Sequence, residues 1–517
     1  MQTFAALRRP AGIETWRTVV LTPGVVALSI LGGLAAGEAA MGRDRALLAV
    51  PFLLVLPLLY WRWPFVAPLS LLAAGLVFEE WTYTIGTRKG PLTDRLPLFR
   101  TPVHGVILLP IEGIIIVALL VWIMRAALQG SISIPRTRLF RAFIFFWFLL
   151  IVGLGVGLAR GGKFNFALWE IRPWLLMFST YLLAAAFLTT ERLIRSVLWV
   201  LVCATGFKGI EGTVVFLSYS RHLVPRPDAI LGHEESLFFG IFILLTLGLW
   251  LYGQRGWLRR TATALLPAVL IADLANSRRT ASGIVIVGAL ALLMSAWIGL
   301  PERRRLVSGI FCAVAVLGAV YFPMYWNHGY GTVAQPARAI RSQVSPDARD
   351  ASSDLYRKSE DANLILNTKQ AGLLGKGFGR PIVYAIPIAD ISSVDPMIAY
   401  IPHDGLLWIW MRLGVQGEIA FWLLIGFAII AAGGLAKADD RLLALFGALV
   451  VCAILAYVLQ GYEDQGIASL RIAPVIGCLL GGLEAAQRLV PRSPTSTRRR
   501  MTLRIADTAG EGGAPHG

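Results

Sequence analysis

Long runs of apolar residues with few or no charges, about 17–25 at a time, constrain this 517-residue chain more than any other feature. A hydrocarbon core about 30 Å thick needs a helix of that length to cross it. In lipid a backbone must satisfy its own hydrogen bonds, so such a run is a helix. The shorter alternating segments of a membrane barrel are absent. Composition agrees, with 56% hydrophobic and 15% charged residues, where a soluble domain carries about 25% charged. The expected fold is an all-α polytopic membrane protein.

Spans are expected near 19–40, 46–60, 65–79, 106–124, 139–158, 174–188, 193–217, 237–252, 261–274, 280–300, 306–322, 416–435, 442–460 and 467–487. That is about fourteen transmembrane helices, or about 12–14 if the short early runs are miscounted. The organisation read from this is 1–18 a cytoplasmic N-terminus and 19–322 membrane helices. Then come 323–402 as one long extracytoplasmic loop with short helices, 403–487 as an interfacial helix and the last membrane helices, and 488–517 as a disordered cytoplasmic tail. The first run lacks the flanks of a cleaved signal and is expected to be retained.

Lys and Arg in short loops set orientation. Arg8, Arg9 and Arg17 precede the first run, and Arg488, Arg492 and Arg498–Arg500 follow the last. Every second loop between is basic, at 125–141, at Arg192 with Arg195, at 255–260, at 303–305 and at Lys437 with Arg441. One assignment puts all of these in the cytoplasm with both termini. Cys203, Cys312, Cys452 and Cys478 fall inside apolar runs and read as small fillers, and no metal-ligand spacing is present.

A net charge of +17 exceeds what topology needs. The surplus falls on the opposite, outer face. Arg172 precedes Pro173 at a span start, and Arg278 and Arg279 sit in the tight turn Asn276–Thr280. Arg338, Arg341, Arg349, Arg357, Lys358, Lys369, Lys376 and Arg380 lie in the long loop. Long translocated loops ignore the inside bias, but two guanidinium groups at the membrane edge in a short turn point to an anionic ligand. Within the loop, Ser353 or Asp354 is expected to cap a helix with an apolar stripe of Leu355, Ala362, Ile365 and Leu366. Leu374-Gly375-Lys376-Gly377-Phe378-Gly379 is a glycine-punctuated turn. His403 then opens a Trp-bearing interfacial helix that leads into Leu413-Gly414-Val415-Gln416-Gly417.

This order resembles the O-antigen ligase and O-antigen polymerase superfamily of bacterial envelope glycosyltransferases: a Ser-Arg turn before a span, an Arg leading a helix into Leu-Gly-x-Gly-x-Gly, then a His. The resemblance falls on Arg278, Arg357 and His403 and covers roughly 172–487. Asp404 departs from the Asn more usual after the His, and the span count exceeds the usual twelve. The resemblance implies transfer of a glycan from a polyprenyl-pyrophosphate carrier to an acceptor outside the bacterial cytoplasmic membrane. It implies no cofactor, metal or nucleotide sugar, no nucleic-acid partner, and membrane lipids and polysaccharide-assembly proteins as partners. His403 is then the proton acceptor, with Arg278 and Arg357 as its catalytic companions. Arg279, Arg172, Arg338 and Arg341 bind pyrophosphate or glycan, because guanidinium groups meet phosphate oxygens in bidentate fashion. Asp404 orients His403, or Glu463 and Asp464 serve as acid–base groups in its place.

Other charges read as structural. Arg471 inside the last span is expected to pair with Glu463 or Asp464. Lys208 and Glu211, one turn apart, are expected to pair with each other, while Glu38 and Glu112 have no evident partner. A ligase and a polymerase differ in acceptor and are not separated by these residues. A polysaccharide transporter or flippase is the main rival, although the repeats it favours are not evident.

Overall fold

A computed structural model describes residues 49–80, 84–85, 88–89, 93, 98–100, 108–130, 134–223, 229–328, 333–392, 395 and 397–490. The expected first span at 19–40 and the tail from 491 lie outside the described residues. Fifteen α-helices make up the described architecture. They are α1 (Ala49–Arg62), α2 (Val66–Val77), α3 (Pro110–Gln129), α4 (Arg138–Ala159), α5 (Phe164–Phe187), α6 (Glu191–Ser218), α7 (Glu235–Leu251) and α8 (Trp257–Asn276). The second half adds α9 (Arg279–Gly299), α10 (Arg304–Tyr325), α11 (Gln335–Val344), α12 (Ala348–Ala371), α13 (Gly405–Leu435), α14 (Arg441–Glu463) and α15 (Ile472–Leu489). Beside them stands a two-residue antiparallel pair, β1 (Thr84–Ile85) with β2 (Arg88–Lys89).

Eight of these helices, α3, α4, α6, α9, α10, α13, α14 and α15, are long and apolar enough to cross a membrane. Helices α2 and α7 are apolar but shorter. The protein is therefore an all-α, multi-pass membrane protein. Helix α5 carries Glu170 and Arg172, and α8 carries Arg259, Arg260 and Asp273, which is why neither reads as a plain apolar span.

Side-chain caps set several starts. Thr137 accepts from the Phe140 amide at the head of α4, and Asp440 from the Leu442 and Leu443 amides at the head of α14, at 2.8–3.1 Å. Such caps satisfy amides that a helix leaves unpaired. Helices α14 and α15 sit at the centre and are buried nearly all round, whereas α10 lies at the edge with Val307 its one buried residue. Close approach of α15 to α5 rests on small residues, as is usual between membrane helices. A Cβ at Gly477 would stand 2.2 Å from the Met177 carbonyl oxygen, and one at Gly481 would stand 2.3 Å from that of Tyr181.

Helices α11 and α12, both outside the long apolar set, lead to the site. Helix α12 ends at Gly372, and the glycine-rich strap 374–379 threads between α4 and α13. Lys376 and Gly377 amides donate to the Met411 and Arg412 carbonyls at 2.8 and 3.0 Å, and the Phe378 amide donates to Gly153 at 3.2 Å. Helix α13 breaks where the strap crosses it, at Gly414 with φ 72° and ψ −175°. A Cβ there would stand 1.8 Å from the Leu373 carbonyl oxygen. Gly414→Ala is therefore expected to cost at least about 1–2 kcal/mol from its left-handed backbone, with the clash in addition. Thermal unfolding in detergent measures this; an unchanged midpoint would show that the strap is not locked against the break.

Several expectations are corrected. Helix α12 starts earlier than expected, because Asp347, not Ser353 or Asp354, caps it by accepting from the Asp350 amide at 2.9 Å. Its expected apolar stripe faces outward: Leu355 is 67% exposed, and Ile365 and Leu366 are also exposed. The buried face is instead Glu360, Asn363, Leu364 and Asn367. It is polar because Asn363 and Asn367 bond the backbone at Ile386 and Val383 at 2.7–3.1 Å. Arg471 precedes α15 and pairs with Glu79 and Glu235, each at 2.8 Å, not with Glu463 or Asp464. Lys208 meets Glu211 at 2.7 Å and also Glu79 at 2.5 Å.

Candidate functional site

Chain direction places the N-terminus of α9, the C-terminus of α14 and the helices α11 and α12 at one end of the bundle. A cavity of about 110 Å³ opens there. Its wall includes Ser277, Arg278, Arg279 and Thr280 from the α8–α9 turn, and Arg338 and Ser342 from α11. Asp350, Ser353 and Arg357 from α12 join it, with Glu463 and Asp464 closing α14. Four arginines named from the sequence thus meet in one cavity.

Local structure aims them. Ser277 adopts a left-handed conformation, φ 51°, at the end of α8. Asn276 holds the turn from below, its side chain accepting from the Ile230 and Leu231 amides at 3.1 and 3.0 Å. The chain can therefore reverse in two residues, so that Arg278 and Arg279 head α9 at the rim. Arg279 pairs with Asp354 at 2.7 Å, Arg338 with Asp347 at 3.0 Å and Arg357 with Glu463 at 3.4 Å. The Nε atoms of Arg278 and Arg338 are buried with no hydrogen-bond partner among the described residues. Buried donors of this kind ordinarily have a partner. The head of α9 adds amide groups and the positive end of its dipole.

His403 lies beside the cavity, in the segment before α13. Its Nδ1 is 3.0 Å from Glu360 Oε2, and the same oxygen accepts from the His403 amide at 3.1 Å. The Tyr356 ring meets the imidazole edge-on at 5.7 Å. Burial disfavours the imidazolium, but the bonded Glu360 carboxylate outweighs it and lifts the His403 pKa above its ordinary value. Asp464 and Arg357, both in the cavity wall, act on it in opposite directions. Asp361 beside this pair is pushed up to about 6, chiefly by burial and then by Asp404 and Glu360.

The other expected residues lie elsewhere. Arg172 is inside α5, fully buried, and pairs with Glu112 of α3 at 2.9 Å, which gives Glu112 its partner. Arg341 donates to the Trp326 carbonyl at 2.9 Å and does not line the cavity. Asp404 caps α13, accepting from the Leu406 and Leu407 amides at 2.9 Å, so Glu360 and not Asp404 orients His403. Two residues of the site were not read from the sequence. Glu360 follows Arg357 by one helical turn, a spacing that would have placed it on the same face. His233, just before α7, contacts Asp464 at the end of the neighbouring α14, and no local pattern signals that.

Fold and site together define a multi-pass membrane protein with an arginine-walled cavity at one end and a carboxylate-held histidine next to it. No protein-family model matches the chain, and no curated protein matches it.

Proposed function

We propose that the protein is a membrane glycosyltransferase that moves a glycan from a polyprenyl-pyrophosphate carrier to an acceptor hydroxyl, as an O-antigen ligase does. One observation carries this reading: Arg278, Arg279, Arg338 and Arg357 converge from three separate helices on one cavity beside His403. A pyrophosphate held there meets guanidinium groups in a partly dehydrated setting, where fixed charge counts most. His403 Nδ1 carries its proton toward Glu360, which leaves Nε2 as a base. In the reaction the acceptor O–H proton goes to His403 Nε2 and the acceptor oxygen bonds the anomeric carbon. The bond from that carbon to the pyrophosphate oxygen breaks, and its electron pair leaves with the carrier.

The membrane proposed is the bacterial cytoplasmic one, with both termini inside and the cavity outside. Basic turns at the far end support that sense. Arg303 donates to the Leu251 carbonyl at 2.8 Å and Arg441 meets Glu302 at 3.4 Å, so these turns gather on one side.

The test is a surface-glycan gel with lipid-linked intermediates from a deletion strain. Long chains left on the carrier identify a ligase, and single repeats identify a polymerase. Unchanged glycan and intermediates overturn the reading in favour of transport. The pH profile gives a second check. A base must be deprotonated, and a raised pKa keeps His403 protonated to higher pH, so activity is expected to rise through an acidic limb above about pH 6.5. Glu360→Gln removes the carboxylate that raises the pKa and is expected to move that limb to lower pH. A limb that stays in place would remove Glu360 from the role of orienting base partner.

A further inference from the structure

We infer that the acceptor docks on the α12 side of His403, against Asp361, Tyr356 and Tyr462, and that it is a glycan without acidic groups. The inference rests on the transferase reading above and names the substrate class of its second half-site.

One helical turn beyond Arg357 the lining of α12 changes sign. Arg357 lies in the cavity wall and pairs with Glu463. Asp361 follows it by four residues and so continues the same helix face. It is half-buried and forms no hydrogen bond or ion pair among the described residues. The carboxylates around it are engaged. Asp404 caps α13, Glu463 meets Arg357, and Glu360 holds His403 through Oε2. Asp361 is therefore the carboxylate of this group that is left for a ligand. His403 and Arg357 both act on it, which places it beside the base.

Two further atoms next to the imidazole are unsatisfied. Tyr356, one turn before Glu360 on α12, meets the His403 ring edge-on at 5.7 Å. Its hydroxyl and Glu360 Oε1 are buried with no hydrogen-bond partner among the described residues. A sugar matches both, since its hydroxyls donate to a carboxylate and its oxygens accept from a phenol. Neither Tyr356 nor Glu360 lines the arginine cavity, so a pyrophosphate held there leaves them unused. Tyr462, at the end of α14 and 54% exposed, adds an accessible aromatic ring on which Asp361 acts.

Charge selects the sugar. The charged groups acting on Tyr356 are Glu360, Asp395 and Asp390, and those acting on Tyr462 are Asp404, Glu463 and Asp361. All six are carboxylates. A uronic acid or a phosphosugar placed there meets like charge, which rejects it. An anionic donor is served by the arginine side, and His403 adjoins both.

The experiment follows release of polyprenyl pyrophosphate by the full chain in vesicles, with a carrier-linked glycan as donor. An alkyl glucoside and the matching glucuronide serve as acceptors. It is run at pH 8, above the value of about 6 to which burial lifts Asp361, so that this carboxylate is charged. Wild type is expected to prefer the glucoside by at least about 10-fold in kcat/KM, the size of one like charge at an intermediate dielectric. Asp361→Asn is expected to raise KM for the glucoside about 10- to 100-fold, as loss of a hydrogen bond to a charged group does, and to narrow the gap to the glucuronide. Tyr356→Phe is expected to raise it about 3- to 10-fold. KM for the donor is expected to stay within about twofold in both, because the arginine cavity is untouched. An acceptor KM unchanged in Asp361→Asn, or a glucuronide used as well as the glucoside by wild type, overturns the inference and leaves the transferase reading standing. A donor KM that rises as far as the acceptor KM assigns these residues to the fold and overturns it too. Tyr356→Phe is the second route should Asp361→Asn not fold, and an acceptor KM unchanged by it counts equally against the inference. Wild type that releases no polyprenyl pyrophosphate with either acceptor overturns the transferase reading and the inference together.

Discussion

Replacing Arg278 with alanine is expected to lower glycan transfer by about 10²–10³-fold, the usual cost of removing one preorganised donor to a developing charge. The side chain heads α9 at the cavity, and its Nε has no partner among the described residues. Its loss therefore breaks no ion pair described in the fold. Folding stability is expected to stay within about 0.5 kcal/mol of wild type. Arg278→Lys is expected to recover part of the rate, since an ammonium supplies the charge but not the two-pronged geometry. Arg357→Ala combines the same loss with release of Glu463, now free to repel the ligand. The check is accumulation of carrier-linked glycan beside the amount of protein in the membrane. Transfer at wild-type levels in Arg278→Ala would remove the turn from the site.

Arg412→Ala is expected to have the largest effect on folding, about 3–5 kcal/mol, the cost of leaving a buried charge without its partner. Arg412 and Glu170 are both wholly buried, with Nε 2.5 Å from Oε1. The guanidinium also donates to the carbonyls of Gly377, Arg380 and Tyr400 at 2.7–3.2 Å. It thus ties together the strap, α5 and the segment that leads to His403, so its loss releases the strap and that segment as well as breaking an ion pair. Replacing both charges by apolar residues of similar size is expected to restore much of the stability but not the placement of the strap. Thermal unfolding in detergent reads the first effect and transfer activity the second. An Arg412→Ala protein as stable as wild type would show that Glu170 finds other partners.

The membrane class was legible because a run of apolar residues long enough to cross lipid admits one backbone solution. Arg278 and Arg279 were legible as candidates because two guanidinium groups in so short a turn between apolar runs are unusual; Arg338 and Arg357 were named only through the resemblance, and that the four meet in one cavity is set by packing. Arg172 was misread by the same logic. It sits one residue before a proline that looked like a helix start, yet α5 begins at Phe164 and carries Arg172 inward to Glu112. The polar face of α12 was also misread. An apolar stripe at helical spacing was expected to be the packed face, but the backbone of 382–386 needed partners, and Asn363 and Asn367 supply them. Glu360 and His233 act across 43 and 231 residues of chain. Pairings at that range are set by how α7, α12 and α14 pack together, which no local spacing encodes.

Transfer is tested most directly with the purified protein in vesicles that hold a polyprenyl-pyrophosphate-linked glycan and a glycan acceptor. Release of free polyprenyl pyrophosphate is followed together with growth of the acceptor. Equal amounts of both products are expected, about 10²–10³-fold less of each in Arg278→Ala, and neither in His403→Ala. Carrier that stays glycan-linked, while the wild-type protein moves it from one leaflet to the other, would rule out a transferase and make the protein a transporter.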